Sequence, residues 1–240
     1  MKAIDKKNVK LIAHRGLTTD DVENTLQAFV EAGKQPCFYG IETDIQVTKD
    51  GTIVCFHDRT GKTALGTDIK ISELTYNKLK KMPLFNKNTK LYDKNYIVCD
   101  LKKYVKTCKK YKKVCVIEIK GEFTNKQLDA LLTELKGLKY LTKCMFISFH
   151  TKALVHLRKK LPNAIIQQLV KSPIARPIHN CEKYNFDVSF HYQLIKKDTI
   201  EKYHKHGIDV AVWTVNNFEY AKHLIEEGVD YLTTDFVLCK

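Results

Sequence analysis

Strand-like segments alternating with helix-like segments from residue 114 onward, a strand–helix–strand run before them, and polar residues gathered at strand ends predict an α/β chain folded as a (β/α)8 barrel. The 240 residues suffice for one such domain, and no composition break marks a linker. Residues 1–240 therefore read as a single barrel with a small hairpin and loop segment inserted between the second strand and second helix, at about 48–100. A doubly wound open sheet fits less well. No G-x-G-x-x-G follows the first strand, and the polar residues cluster at strand ends throughout instead of at one crevice.

Val9 to Ala13 is a short apolar strand ending in His14-Arg15-Gly16. Asn24 to Lys34 has helical periodicity through Leu26, Phe29 and Val30, and Gly33 fits a C-terminal cap. Tyr39 to Asp58 reads as a hairpin. Glu42 and Asp44, two apart in a β-branched run, leave one face, while Ile41, Thr43 and Ile45 leave the other. Asp50-Gly51 supplies the turn, and Ile53 to Phe56 returns antiparallel. With a two-residue loop Asp44 would pair opposite His57, and a longer loop would slip the pairing by a residue or two. After a Thr- and Gly-containing loop, Arg59 to Asp68, a helix is expected from Ser72 to Lys81, stopped by Pro83; residues 84–100 read as irregular.

Leu101, Tyr104, Val105 and Cys108 stand at helical spacing, so the lysines of Lys102 to Lys113 form the wet side of an amphipathic helix. Strand Val114 to Lys120, helix Asn125 to Leu138, strand Cys144 to Phe149, helix Thr151 to Leu161 and strand Ala164 to Val170 follow. A Pro-containing loop leads to strand Phe186 to Phe190, helix Lys197 to Lys205, strand Asp209 to Val215, helix Asn217 to Glu227 and strand Tyr231 to Thr234. That makes nine strands. Those at 39–45 and 53–56 are too close for a parallel crossover, so the second belongs to an excursion and eight remain.

A hydrophobic fraction of 44% without a long polar tract excludes a disordered chain. No apolar run reaches membrane-spanning length, and MKAIDKKNVK lacks the apolar centre of a signal peptide. The eight scattered cysteines, with no C-x-x-C pair, read as reduced thiols in a cytoplasmic protein. A net charge of +14 favours anionic partners: a phosphorylated small molecule, an anionic membrane surface or nucleic acid.

The strand ends carry the chemistry. His14 and Arg15 end the first strand, Glu42 and Asp44 the second, Glu118 and Lys120 the third and Trp213 the seventh. Glu118 and Lys120 repeat the two-apart spacing and can both enter the barrel mouth. Three carboxylates there, Glu42, Asp44 and Glu118, repel one another without a cation. Oxygen ligands alone call for one hard divalent ion, Mg2+ or Ca2+, and no His/Cys pattern suggests zinc.

His14-Arg15-Gly16, Glu23-Asn24-Thr25, Glu42-x-Asp44, Thr48-Lys49-Asp50-Gly51, His57-Asp58, Glu118-x-Lys120, Trp213-Thr214-Val215, Gly228-Val229-Asp230 and Thr234-Asp235 occur in order over residues 11–235. In these pieces the chain resembles the glycerophosphodiester phosphodiesterase family. The resemblance implies a single catalytic (β/α)8 barrel that hydrolyses glycerophosphodiesters to glycerol 3-phosphate and an alcohol. It further implies that Glu42, Asp44 and Glu118 hold the ion, that His14 and His57 are the acid–base pair, and that Arg15 and Lys120 bind the phosphate. Trp213 would wall the glycerol. The implied partner is a small-molecule glycerophosphodiester, with no nucleic acid and at most weak peripheral association with an anionic membrane.

The chain departs from the family pattern at Val22, usually proline, and at Arg59-Thr60-Gly61, where the family has arginine and two threonines. Two other readings compete. A phospholipase D-like enzyme of the sphingomyelinase D type would act on whole lipids and want an exposed apolar loop near the mouth, for which Met82 to Phe85 is the candidate. A basic protein binding nucleic acid or membrane would explain the charge but leave the acidic and histidine residues unused.

Overall fold

Side-chain alternation along the apolar segments produces eight parallel strands that close on themselves. The computed structural model describes residues 8–172 and 177–237. Residues 173–176 of the expected Pro-containing loop, the N-terminal residues 1–7 and Cys239 lie outside the described residues. The barrel strands are β1 (Lys10–Ala13), β2 (Phe38–Val47), β7 (Val114–Ile119), β8 (Cys144–Ser148), β9 (Ile166–Val170), β10 (Asp187–His191), β11 (Val210–Trp213) and β12 (Tyr231–Thr234). Each pairs in parallel with its neighbour, and β1 pairs with both β12 and β2, which closes the ring. Helices α1 (Leu26–Lys34), α3 (Leu101–Lys110), α4 (Asn125–Gly137), α5 (Thr151–Lys160), α6 (Ile178–Tyr184), α7 (Lys197–Lys205) and α8 (Phe218–Glu227) connect them. The expected (β/α)8 barrel is observed.

Alternate residues build two apolar layers. Leu11, Ala13, Ile41, Ile45, Ile117 and Ile119 pack outward with the helices, whereas Ile12, Val116, Met145, Ile147, Leu169 and Ala211 fill the barrel interior. On α3 the buried face is Leu101, Tyr104, Val105, Thr107 and Cys108, with the helix's own lysines on the solvated side as the periodicity required. The helix ends at Lys110, and Lys113, expected on that wet side, is buried and donates to the Gln35 and Phe38 carbonyls at 2.6 Å. Side-chain caps start several helices: Thr25 accepts from the Ala28 N–H of α1, Asp100 from the Lys103 N–H of α3, and Thr124 with Gln127 forms a capping box on α4.

β3 (Ile53–Cys55) returns antiparallel to β2, with Ile45 opposite Cys55. The loop slips the register by one residue from the two-residue expectation, so Phe56 and not His57 donates its N–H to the Asp44 carbonyl, at 2.9 Å. Thr48 and Thr52 close a three-residue loop, with Gly51 at φ 81° taking the left-handed position such a loop requires.

The insertion differs most from expectation. The single helix expected over Ser72 to Lys81 is a 3-10 turn, Ile71–Glu73, followed by the short helix α2 (Tyr76–Leu79). Leu74 and Thr75 between them are extended, which interrupts the helical hydrogen bonds. The stretch read as irregular contains a hairpin of β4 (Leu84–Asn86) and β5 (Leu91–Asp93), and β6 (Cys99–Asp100) pairs with β3. Val54, Phe56, Ile71, Leu79, Leu84 and Val98 bury a small core beneath them, separate from the barrel layers.

Gly33 does not cap α1. It lies inside the helix, whose C-cap is Gln35. A Cβ at Gly33 would stand 2.4 Å from Cδ2 of Tyr111, so the glycine lets α1 pack closely against the end of α3. The seven described cysteines are buried and unpaired. No described helix is long and apolar enough to cross a membrane.

Candidate active site

At the C-terminal end of the barrel, β1 runs into a turn in which Arg15 (φ 54°) and Gly16 (φ 89°) are both left-handed. The Ala28 backbone approaches to 2.6 Å of where a Gly16 Cβ would stand, so no side chain fits there. This turn puts the Arg15 N–H on Glu42 Oε2 at 2.8 Å and its Nε 3.1 Å from Asp44 Oδ2, while Nη1 donates to Glu23 at 2.7 Å. Asn24 donates to Asp44 Oδ2 at 2.9 Å and accepts from the Thr43 hydroxyl at 2.7 Å.

Glu42, Asp44 and Glu118 converge as the alternation predicted. All three are buried, and each offers an oxygen within 4.8 Å of the others. Register explains the meeting: β2 and β7 pair with Asp44 opposite Glu118, and Glu42 lies one pleat down the same face of β2. Lys120 Nζ lies 2.6 Å from Glu118 Oε1 and 3.2 Å from Asp44 Oδ1. Among the described residues those two oxygens and Glu42 Oε1 accept no hydrogen bond of good geometry, so Lys120 meets Asp44 and Glu118 as an ion pair.

The charges are unequally balanced. Burial, then repulsion from Asp44 and Glu118, pushes the Glu42 carboxyl well above the usual range. Burial and Asp44 push Glu118 up to about 7. At Asp44 burial acts in the same direction, but Arg15, Lys120 and His57 outweigh it and hold the carboxyl below its ordinary value. Two cations thus satisfy one carboxylate and leave two crowded. Three buried carboxylates with oxygens lacking hydrogen-bond partners are the donor set a hard divalent ion takes, and these residues fit such an ion.

His14 and His57 line one cleft of about 340 Å3 together with Arg15, Glu23 and β4 residues of the insertion. Each has a carboxylate on Nδ1: Asp235 on His14 at 2.8 Å and Asp58 on His57 at 2.7 Å. The other ring nitrogen of each makes no hydrogen bond among the described residues. Asn216 in turn donates to Asp235. Burial lowers the pKa of His57, against the pull of Asp44.

Trp213 ends β11 half-buried, its Nε1 donating to the Ser189 carbonyl at 3.1 Å. Its ring meets Phe149 and His191 edge-on, and it does not line the histidine cleft. The structure thus gathers His14, Arg15, Glu42, Asp44, His57, Glu118 and Lys120, and places Trp213 at the end of β11 against Phe149 and His191. Sequence reasoning assigned no role to Glu23, Asn24, Asp58 or Asp235, although each stands inside a quoted motif. Asn216 carried no signal.

The glycerophosphoryl diester phosphodiesterase family model matches residues 14–238. The chain is 27% identical over 230 residues to the glycerophosphodiester phosphodiesterase of Caldanaerobacter subterraneus subsp. tengcongensis, covering 94% of this chain and 93% of that protein. It also resembles a glycerophosphodiester phosphodiesterase from Thermotoga maritima, with a TM-score of 0.75, 26% identity and 96% of both chains covered. An Oleispira antarctica phosphodiesterase, solved with its product sn-glycerol-3-phosphate, shares the fold at a TM-score of 0.87 and 22% identity, over 95% of this chain and 94% of that one. A family match across nearly the whole chain, the closed barrel and the acidic mouth lead to one assignment: the chain belongs to the glycerophosphoryl diester phosphodiesterase family, whose members are phosphoric diester hydrolases.

Proposed function

We propose that the protein hydrolyses glycerophosphodiesters to glycerol 3-phosphate and an alcohol. The observation that carries this reading is the meeting of three buried carboxylates, two strand-end cations and two carboxylate-backed histidines in one mouth. Glu42, Asp44 and Glu118 would hold one divalent ion, Mg2+ or Ca2+, which supplies Lewis-acid charge to the phosphoryl oxygens. Arg15 and Lys120 neutralise the negative charge that builds on the phosphoryl group. His57, whose pKa burial lowers, accepts a proton from the attacking oxygen, and His14 donates one to the leaving alcohol. The attacking oxygen is that of water or of the neighbouring glycerol hydroxyl, whose cyclic phosphate water then opens. Asp58 and Asp235 hold each ring so that the free nitrogen serves the substrate.

One observation favours a second reading, action on lipids at a membrane. Of Met82 to Phe85, Leu84 is buried and the others half-buried, but Leu91 and Tyr92 on β5 are exposed beside the strand that lines the cleft. Buried free cysteines support a reducing, cytoplasmic location. The test is release of glycerol 3-phosphate from a panel of glycerophospho-alcohols, and of head-group alcohol with an acylated glycerol phosphate from lysophospholipid vesicles, with and without chelator. Turnover of the soluble panel that disappears with chelator and returns with Mg2+ or Ca2+ is expected. Full activity after exhaustive chelation would remove the ion, and turnover of vesicles alone would replace the first reading with the second.

A further inference from the structure

The positive charge is concentrated in one sector of the chain. Residues 102–160 contain 16 Lys and Arg against 4 Asp and Glu, which is +12 of the net +14. They build α3, β7, α4, β8 and α5, so the charge falls on one side of the barrel and on the loops at its N-terminal end. There, at the end opposite the carboxylate mouth, a groove of about 890 Å3 opens at the starts of β2, β7, β8 and β9. Its volume lies in the range of small-molecule sites, roughly 300–1,000 Å3. It shares no lining residue with the histidine cleft.

Met145 and Ile165, from the apolar interior of the barrel, form its floor, and Tyr39 and Tyr140 stand in its wall. Lys109, Lys112, Lys143 and Lys160 surround it, and no Asp or Glu lines it among the described residues. Two of these lysines are engaged: Lys109 donates to the Leu138 carbonyl at 3.1 Å, and Lys160 lies 3.8 Å from Asp129. The side chains of Lys112 and Lys143 have no ion pair or hydrogen bond among the described residues. Lys112 also sits at φ 56° in the turn from α3 to β7, a conformation that glycine adopts freely and lysine does not. That turn is an ordinary helix C-terminus, which Lys139 repeats after α4. Two ammonium groups without a partner among the described residues, on the rim of an apolar groove, are what point to an anionic ligand.

We propose that this groove is a second binding site, for a small phosphate ester carrying a planar ring, of the nucleotide class. The tyrosine rings and the apolar floor take the ring, and the ammonium groups of Lys112 and Lys143 take the phosphates. Inorganic phosphate would leave the apolar floor unused. An acyl chain would prefer an enclosed tunnel to a groove open at a lysine rim.

The experiment is calorimetric titration of the full chain with ADP, in saturating glycerol 3-phosphate so that the catalytic mouth is filled. Submillimolar binding that weakens as salt rises is expected, with adenosine and pyrophosphate each weaker than ADP. The Lys112→Gly, Lys143→Gln double variant is expected to lose about tenfold or more in ADP affinity. Its melting temperature should be unchanged or higher, because glycine relieves the turn, and its phosphodiesterase activity should be unchanged. No binding at millimolar ADP, unaltered affinity in the double variant, or displacement of ADP by glycerol 3-phosphate would each overturn the site. Pyrophosphate binding as tightly as ADP would overturn the nucleotide assignment. The activity control and the use of glycerol 3-phosphate rest on the hydrolytic reading of the other mouth; the salt dependence, the comparison of ADP with adenosine and pyrophosphate, and the loss in the double variant do not.

Discussion

Arg15 and Lys120 divide one task. Arg15 reaches Glu42 through its backbone and Asp44 and Glu23 through its side chain, while Lys120 spans Asp44 and Glu118. Both are expected to turn part of that charge to the phosphate, so Arg15→Ala and Lys120→Ala should each slow turnover by about a hundredfold, the scale of losing one oxyanion donor. Neutralising Lys109, Lys110 and Lys112 together should leave turnover near wild type. Steady-state kinetics of the three variants check this, and a larger loss from the distal lysines would move the functional site to the basic surface. For the histidines, His14→Ala and His57→Ala should each cost about a hundredfold or more, and the double variant far less than the product. The sign of the pH effect follows from burial. His57 must be neutral to accept a proton and its pKa is lowered, so kcat/KM should fall only as pH drops below about 6.5. An acidic limb unchanged in His57→Ala would dismiss it as the base.

At the scale of elements, the contact of α1 with the end of α3 rests on Gly33. Alanine there gains about 1 kcal/mol of helix propensity. It also drives a Cβ into Cδ2, Cγ and Cβ of Tyr111, near the root of that side chain where rotation gives little relief. Overpacking of this kind costs roughly 1–3 kcal/mol. Gly33→Ala is therefore expected to be net destabilising by about 1 kcal/mol, lowering Tm by about 2–4 °C, and Tyr111→Ala in the same chain should cancel most of the difference. An increased Tm in Gly33→Ala alone would show that the helices separate at no cost. The insertion is the complementary case. β4 and β5 are three residues each and their hairpin contains no Asp-Gly or Asn-Gly turn, so neither length nor turn chemistry announced them. They exist because Leu84 is drawn under the loop to pack with Phe56, Leu79 and Val98, contacts distant in sequence.

Over the whole molecule, burial raises carboxylates far from the mouth as well. Asp187 and Asp209, at the N-terminal end, are both raised by burial and by their neighbours, Asp187 to about 6. Between pH 4 and 6 the folded chain keeps a proton on Asp187 that the unfolded chain releases. Its contribution to stability is therefore full at low pH and is lost as pH rises through that window, by at most about 2–3 kcal/mol. Asp187→Asn, which keeps a carbonyl for the Asp209 N–H, should remove that loss. Thermal melts across pH 4 to 7 should show its Tm gaining on wild type as pH rises, and a constant difference would mean that Asp187 ionises normally.

The barrel itself was legible because its information is local. A period of two in Glu42-x-Asp44 and Glu118-x-Lys120, and a period near 3.6 in Leu101, Tyr104, Val105 and Cys108, follow from backbone geometry that each segment carries alone. Those periods determined the face each acid occupies, and the order of the motifs determined the family resemblance. Tertiary structure alone decided what lies between the motifs: the one-residue slip that opposes Phe56 to Asp44, the pairing of Asp235 with His14 across 221 residues, and the packing role of Gly33. It also gathered the lysines of helix ends and connecting turns distant in sequence around the groove at the far end of the barrel. Each of these depends on which distant segments meet, and that is set when the apolar faces of the whole chain are buried together, a condition that no single window of sequence contains.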